Sequence, residues 1–359
     1  MLLQASKNGE WYNITRREFA QMDSNTLKNI NDLSPIFPLL NTTAQSFFSV
    51  FSYWNSENQK RVLPEAYFKY LFVDEAGMVL PSLMVNLYAG QKVLLFGDTK
   101  QIEPVYPFAG NNVINTIIMD KITDGNHEPR DLLLDEYSLL KENAMSIANK
   151  AIYIDDEHAI RASSEAPLWL LQHFRCANPI IEYCNKLVYN GKIEPMKGEK
   201  ENYCHLCFID HNENMNLSKN TCKKEAEIII DEITKYIEEG YDIKDIGIIT
   251  PFRNQVHLIE KELQKHDIDT NILYVGTVHK FQGSERKIIL FSTASGKNYK
   301  GDSKNLFMNR DNGNMLNVAV SRAKERFVLI GCSSAIANND SSYSGILVKH
   351  IEKYERSKP

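Results

Sequence analysis

The stretch "YLFVDEAGMVLPSLMVNLYAGQKVLLFGDTKQIEPV", Tyr70–Val105, decides the fold class. Its two short runs, "YLFV" and "KVLLF", are apolar at nearly every residue instead of alternating, which marks strands covered on both faces. Between them "PSLMVNLYAG" reads as a helix. Strand, helix and strand in this order imply a parallel α/β sheet. The first strand ends in two acids, Asp74 and Glu75, at the carboxyl edge where open α/β sheets bind ligands. One carboxylate there, Asp74, can hold magnesium through water, and its neighbour Glu75 can take a proton from an attacking water. The second strand ends in "GDTKQIEPV". Gly97 allows a tight turn, Asp98 can reach metal or backbone donors, and Gln101 offers an uncharged amide to a terminal phosphate or a water. Pro104 stiffens the exit.

Outward from this core the same alternation continues. "PLLNTTA" upstream reads as a buried strand, as do "HLCFID", "IGIITP", "ILYVGTV", "KIILFST" and "RFVLIGC" downstream. Between the latter, "TCKKEAEIIIDEITKYIEEG" sets Ala226, Ile229, Ile230, Ile233 and Ile237 at helical spacing and closes on Gly240. "PFRNQVHLIEKELQKH" and "NMLNVAVSRAKE" read as two more helices. The acidic stretch 108–165 breaks the pattern and reads as an insertion or connector. It separates an α/β domain over 1–166 from a second over 167–359, with the boundary near Pro167.

Composition bounds the function classes. With 359 residues, 43% hydrophobic and 24% charged, the chain can bury ordinary cores. A formal charge of -5 excludes a wholesale basic nucleic-acid coat, though not a local groove. Lys280–Arg326 holds ten Lys or Arg against four Asp or Glu, so basic charge is concentrated there. No apolar run has the length to span a bilayer, and "MLLQASKNGEW" lacks the apolar core of a signal peptide. Six cysteines in so long a chain make no disulfide scaffold, so a reducing cytoplasm is expected. The single short CxxC, Cys204 and Cys207, has no second pair at zinc-finger spacing.

The pair "VDEAG … FGDTKQIEPV" at this spacing resembles the second and third motifs of superfamily 1 helicases. Further matches follow in order from Phe37 to Cys332. "FPLLNTTAQSF" resembles the upstream motif whose threonines, here Thr42 and Thr43, touch nucleic-acid phosphates. "LLQHFRCANPIIEYCNKLVYNGKIEP" is similar to the fourth motif and supplies Arg175. "IGIITPFRNQVHLIEKEL" resembles the segment that contacts the nucleic-acid backbone, here through Arg253. "VGTVHKFQGSERKIILFSTA" resembles the fifth motif, with Gly283 and Glu285 at the nucleotide and Thr277 at nucleic acid. "LNVAVSRAKERFVLIG" resembles the sixth, with Arg322 as a second arginine finger. The resemblance is to the branch that translocates 5′ to 3′, which contains the RNA-surveillance helicase and the replication nuclease-helicase. It implies two RecA-like P-loop-NTPase-type domains with parallel sheets. It also implies ATP and magnesium as cofactors, single-stranded DNA or RNA as partner and no membrane. Two arginines suit this chemistry, because a guanidinium is planar, always charged and bidentate toward phosphate.

The chain departs from the family at its first motif. A P-loop needs GxxxxGK[ST]. The Gly-Lys pairs here are Gly191–Lys192, followed by Ile193, and Gly296–Lys297, followed by Asn298. Met78 and Met315 stand where the family commonly has a polar residue and an arginine. The expectation is therefore a first domain truncated at its amino end. The chain would be the carboxyl-terminal portion of a helicase, inactive alone, with an upstream domain of the same protein as a partner and no tightly bound ATP. The alternative is a non-catalytic nucleic-acid-binding or scaffolding module. The missing P-loop strand is expected between the strands carrying the second and third motifs. Its loss would leave a gap that "GEWYNIT" or a neighbouring chain fills, or around which the sheet closes.

Overall fold

The computed structural model describes residues 3–7, 10–14, 41–55, 59–104, 142–151, 169–301, 313–339 and 341–358. Two compact units emerge, Met1–Thr99 with Glu103–Pro167, and Lys100–Ile102 with Leu168–Pro359. Among the described residues, no helix is long and apolar enough to cross a membrane.

In the first unit, β1 (Leu3–Lys7) and β2 (Glu10–Ile14) form an antiparallel hairpin. Helix α1 (Ala44–Phe51) is followed by a second hairpin of β3 (Tyr53–Asn55) and β4 (Lys60–Val62). β5 (Leu71–Val73) and β6 (Val93–Leu95) pair in parallel, with Phe72 opposite Leu94. They are joined through 3₁₀ turns at Ala76–Met78 and Pro81–Ala89, where a regular helix was expected. Pro81 opens the second turn, and Asn86 turns inward to donate to the Ala44 carbonyl. Helix α2 spans Ala144–Ala151. The core is small: Phe47, Phe51, Leu63 and Ala89, with Phe68 and Leu71 packed on it. Phe51 and Phe68 meet edge to face at 5.0 Å.

Two expectations for this unit are corrected, and a third is met in one of its alternatives. "PLLNTTA" supplies no strand over 41–43, because Thr43 caps α1 and Ala44 begins it, while residues 37–40 lie outside the described ones. Of the outcomes expected for the missing strand, β5 and β6 show the one in which the sheet closes, since they are direct hydrogen-bonded neighbours, while β2 within "GEWYNIT" pairs with β1 and fills no gap. Nor are these strands buried on both faces. Leu71 reaches the small core, but strand alternation turns Phe72 (57% exposed) and Phe96 (47%) the other way. The expected insertion at 108–165 lies outside the described residues except at 142–151.

The second unit begins with β7 (Gln172–His173), α3 (Asn178–Val188) and β8 (Glu194–Pro195), which pairs in parallel with β7. Then follow β9 (Leu206–Asp210), α4 (Lys223–Glu238), β10 (Ile246–Thr250) and α5 (Arg253–Lys265). β11 (Tyr274–Thr277), α6 (Val278–Phe281), β12 (Arg286–Ser292), α7 (Asn314–Ser321) and β13 (Ala323–Gly331) come next. Helices α8 (Ser333–Ile336) and α9 (Tyr343–Arg356) close the chain. Five strands form one parallel sheet in the order β11-β10-β12-β13-β9.

Period-two alternation builds two cores from the same strands. Ile288 and Leu290 of β12, with Ile246 and Ile248 of β10, face α4 and α5 through Ile229, Ile233, Ile259 and Leu263. Ile289 and Phe291, with Phe327 and Leu329 of β13, face α3, α7 and α9 through Ile180, Val318 and Leu347. Burying each such side chain is worth about 1.5–3 kcal/mol. Two details of the reading fail. Ile237 is 46% exposed, because it falls off the buried stripe of α4. The expected helix over "NMLNVAVSRAKE" stops at Ser321, since Ala323 already pairs with Arg286 in the sheet.

Candidate nucleotide and nucleic-acid sites

In the first unit the second- and third-motif loops are clamped backbone to backbone. Ala76 N–H donates to the Phe96 carbonyl at 2.7 Å, and Phe96 N–H to Val73 at 2.8 Å. A methyl on Gly97 would lie 2.8 Å from the Gly77 nitrogen, and one on Gly77 2.9 Å from the Asp98 carbonyl oxygen. Only glycines permit this approach. It sets Asp98 beside the loop carrying Asp74 and Glu75. The Asp74 carboxylate accepts from Glu75 N–H at 2.9 Å, and Glu75 sits at φ 51° in the left-handed region. Such a strained residue at a strand end is a recurrent mark of functional loops. The carboxylates of Asp74, Glu75 and Asp98 are not drawn together into a metal-sized cluster among the described residues.

The threonines take a different place. Thr43 is the N-cap of α1, accepting from Ser46 N–H at 3.2 Å, and Thr42 precedes it. Gln101 groups with the second unit: Lys100 O accepts from the Asn317 amide at 2.8 Å, and Ile102 is buried in that unit's core.

The second unit sorts the remaining expected residues to the two ends of its parallel strands. At the amino ends of β12 and β13, Glu285 binds Arg175 at 2.7 Å and Lys324 at 2.5 Å. Lys197 donates to the Arg175 and Lys324 carbonyls at 2.9 and 2.8 Å. Arg322 is buried, with its Nε donating to Val318 O at 3.1 Å and Nη1 to Ser284 O at 3.4 Å. Gly283 enters this turn at φ 77°. The Lys324 hydrogen bond, with Arg175 and Arg322 beside it, holds Glu285 below the usual carboxylate range against its partial burial. Burial pushes His173 down to about 4, and Arg175, Lys197 and Arg322 add to the effect. His173 Nε2 is therefore a neutral acceptor for Cys176 N–H at 3.1 Å. Three cations around one carboxylate, with Lys197 behind them, suit a polyanion such as a nucleotide phosphate chain. The sequence reading missed Lys197 and Lys324, whose roles show only once the strands are assembled.

At the opposite, carboxyl ends stand Arg253 and Thr277. Thr250 and Thr277 are register partners, and Arg253 follows Thr250 by three residues as the exposed first residue of α5. His279 lies below its ordinary value through burial first and the Arg253 charge second.

A buried polar cluster under this edge was also missed. Glu225 is fully buried and accepts from Ser292 Oγ (2.6 Å), Thr293 Oγ1 (3.0 Å), Ala294 N–H (2.8 Å), and Ser295 N–H (2.7 Å). His211 Nε2 lies 3.4 Å from Glu225 Oε1 and 3.9 Å from the Cys222 sulfur. These three could in principle ligate a metal. Their bonding fits a proton network better: His211 Nδ1 accepts from Glu213 N–H at 3.3 Å, which leaves the proton on Nε2 toward Glu225. Burial, then the Glu225 charge, pushes the Cys222 thiol up to about 12, so it stays protonated. The one available signal was an acid in the apolar stripe of α4, one residue before Ala226. The other cysteine pair of note, Cys204 and Cys207, is joined as a disulfide.

A family model described as an AAA domain matches residues 156–334. The DNA replication ATP-dependent helicase/nuclease DNA2 of Gallus gallus is 24% identical, covering 86% of this chain and 27% of that protein. The chain is related by sequence to the superfamily 1 helicases. An uncharacterized ATP-dependent helicase of Mycoplasma pneumoniae is 26% identical over 91% of the chain and 28% of its own length. One of Methanocaldococcus jannaschii is 24% identical over 85% and 42%. The chain thus spans less than half of each of these relatives. Among solved structures, an Arterivirus nonstructural protein 10 helicase aligns over 92% of the chain and 53% of its own, at 13% identity and a TM-score of 0.36.

Proposed function

We propose that this chain is the nucleic-acid-tracking part of an ATP-dependent helicase or translocase, with the second unit joining nucleotide hydrolysis to a single strand of DNA or RNA. The observation that carries this reading is the division of residues in the second unit. Arg175, Glu285, Arg322, Lys197 and Lys324 gather at the amino ends of the strands, and Arg253 and Thr277 at the carboxyl ends. A sheet with a polyphosphate site at one end and a backbone-binding site at the other has the layout a motor needs.

Within that reading Asp74 and Asp98 would hold magnesium, which supplies charge neutralisation at the transferred phosphoryl group. Glu75 would accept the proton of the attacking water, and Gln101 would orient it. Gly283 leaves the nucleotide room at the Glu285 turn. Arg175 and Arg322 would neutralise charge as it develops in the transition state. Thr42 and Thr43, at the start of α1, would add phosphate contacts.

The 359 residues contain no GxxxxGK[ST]. This supports the further reading that the chain does not hydrolyse ATP without another segment that supplies the cradle. The test uses a form that carries a P-loop. There Glu75→Gln should keep nucleotide binding and abolish turnover, while Arg175→Ala and Arg322→Ala each cut turnover by orders of magnitude. Near-parental hydrolysis in all three would refute the motor reading.

A further inference from the structure

The carboxylate of Glu225 sits where a bound anion would sit, in a concave turn of backbone N–H groups at the end of the central strand β12. Ala294 adopts φ 54°, a left-handed conformation that costs a non-glycine residue about 1 kcal/mol. It is fully buried. Its N–H and that of Ser295 both point at Glu225, which makes the turn a nest filled by the protein's own side chain. The turn has no room to relax: a methyl on Gly296 would meet the Met215 nitrogen, and one on Gly331 the Thr293 hydroxyl.

Three connections lead from this turn to the exposed edge. Ser292 Oγ, which donates to Glu225, accepts from Gln255 Nε2 at 3.0 Å. Gln255 is buried in the first turn of α5, two residues after Arg253, and pairs with both backbone groups of Cys222 at 2.9 and 3.0 Å. Asn254 Nδ2 donates to the Lys219 carbonyl at 3.0 Å, so the loop before α4 is tied to the same turn of α5. Glu225 also receives His211 from the end of β9, and Ser295 Oγ accepts from Cys332 N–H at 2.7 Å after β13. One carboxylate therefore joins the ends of β9, β12 and β13 to the start of α5.

We propose that Glu225 is a positioning residue for nucleic-acid binding: through Ser292 and Gln255 it fixes the first turn of α5 and with it the place of Arg253. This rests on Arg253 contacting the nucleic-acid backbone. A buried carboxylate with this many donors has a desolvation cost that only complete bonding offsets, so partial loss of the set loosens every element tied to it.

The test is binding of fluorescein-labelled oligo(dT) and oligo(U) to the full 359-residue chain by anisotropy, at low temperature and fixed salt. Glu225→Ala is expected to lose the fold of the turn and is not relied upon. Glu225→Asp keeps the charge but draws it back by one methylene, and Ser292→Ala cuts the link to Gln255 while leaving the carboxylate in place. Each should weaken binding about 5- to 10-fold while far-UV circular dichroism stays unchanged. Combined with Arg253→Ala, neither should weaken binding beyond Arg253→Ala alone, because both act through the same contact. Hydrogen exchange of the amides at 255–257 should quicken in both.

Additive losses in the double variants, or single variants that bind as the parent does, overturn the positioning role while leaving the nucleic-acid reading intact. Binding unaffected by Arg253→Ala, or no binding by the parent chain, overturns that reading and the positioning role with it.

Discussion

Glu285 holds two cations that a polyphosphate would otherwise take. Removing it should release Arg175 and Lys324 to an anion, whereas removing Lys324 should subtract one. Glu285→Ala is therefore expected to bind inorganic tripolyphosphate several-fold more tightly than the parent by calorimetry, and Lys324→Ala several-fold less tightly. Equal affinities in all three would place the cluster outside any phosphate site. His173 makes a pH prediction. Its folded value, about 4, lies below the ordinary 6.5, so the unfolded chain binds the proton more readily. Its contribution is complete above about pH 6.5 and is lost as pH falls toward 4. The urea midpoint should drop between pH 7 and pH 5, and less steeply in His173→Gln. At this scale the sequence was partly legible. Arg175, Glu285 and Arg322 could be named from their motifs, but Lys197, Lys324 and Glu225 could not, because their partners are distant along the chain: Glu285 lies 39 residues from Lys324, Ala294 69 from Glu225, and Lys324 127 from Lys197.

Each secondary-structure element obeys the alternation rule only where something covers it. α4 shows this within one helix: Ile229 is fully buried in the core facing β10 and β12, and Ile237 is half-exposed. Ile229→Ala should cost about 2–5 kcal/mol of stability by denaturant titration. Ile237→Ala should cost less than about 0.5 kcal/mol. The glycine clamp of the first unit gives a sharper case. Gly97→Ala places a methyl against backbone, which cannot rotate away, and should destabilise that unit by about 1–3 kcal/mol. A melting temperature equal to the parent's would show that the two loops separate freely. The second-unit strands were readable because consecutive Ile, Val, Leu and Phe dominate their middles and helices cover both faces. "YLFV" and "KVLLF" carry the same signature, yet only one face of their sheet meets a core. Apolar runs record what a strand is suited to bury, which is a different matter from what stands against it. The 3₁₀ turns over Ala76–Ala89 escaped notice because the apolar residues there fit a helical period just as well.

Across the whole molecule, Asp74 and Glu75 belong to one compact unit and Arg175 and Arg322 to the other, and the 359 residues contain no GxxxxGK[ST]. Calorimetry with magnesium-ATP should accordingly give no saturable binding tighter than about millimolar, near 4 kcal/mol. Micromolar, magnesium-dependent binding would mean that another segment cradles the phosphates. Oligonucleotide binding, in contrast, should fall steeply with salt, since it rests on phosphate contacts.

β12 has Glu285 just before its first residue and the Ser292 hydroxyl at its last. Seven extended residues measure roughly 23 Å, and a fully hydrogen-bonded strand can neither stretch nor shorten appreciably. From Ile288 to Phe291 it is paired on both sides, by β10 and β13, and cannot bow there either. It is a strut. A push of a fraction of an ångström delivered at Ile288 arrives at Ser292 nearly undiminished, and the one register shift against β13, between Arg286 and Ile288, lies beside the Glu285 turn. Stiffness, more than any chain of side-chain contacts, would let one end of this sheet register what happens at the other.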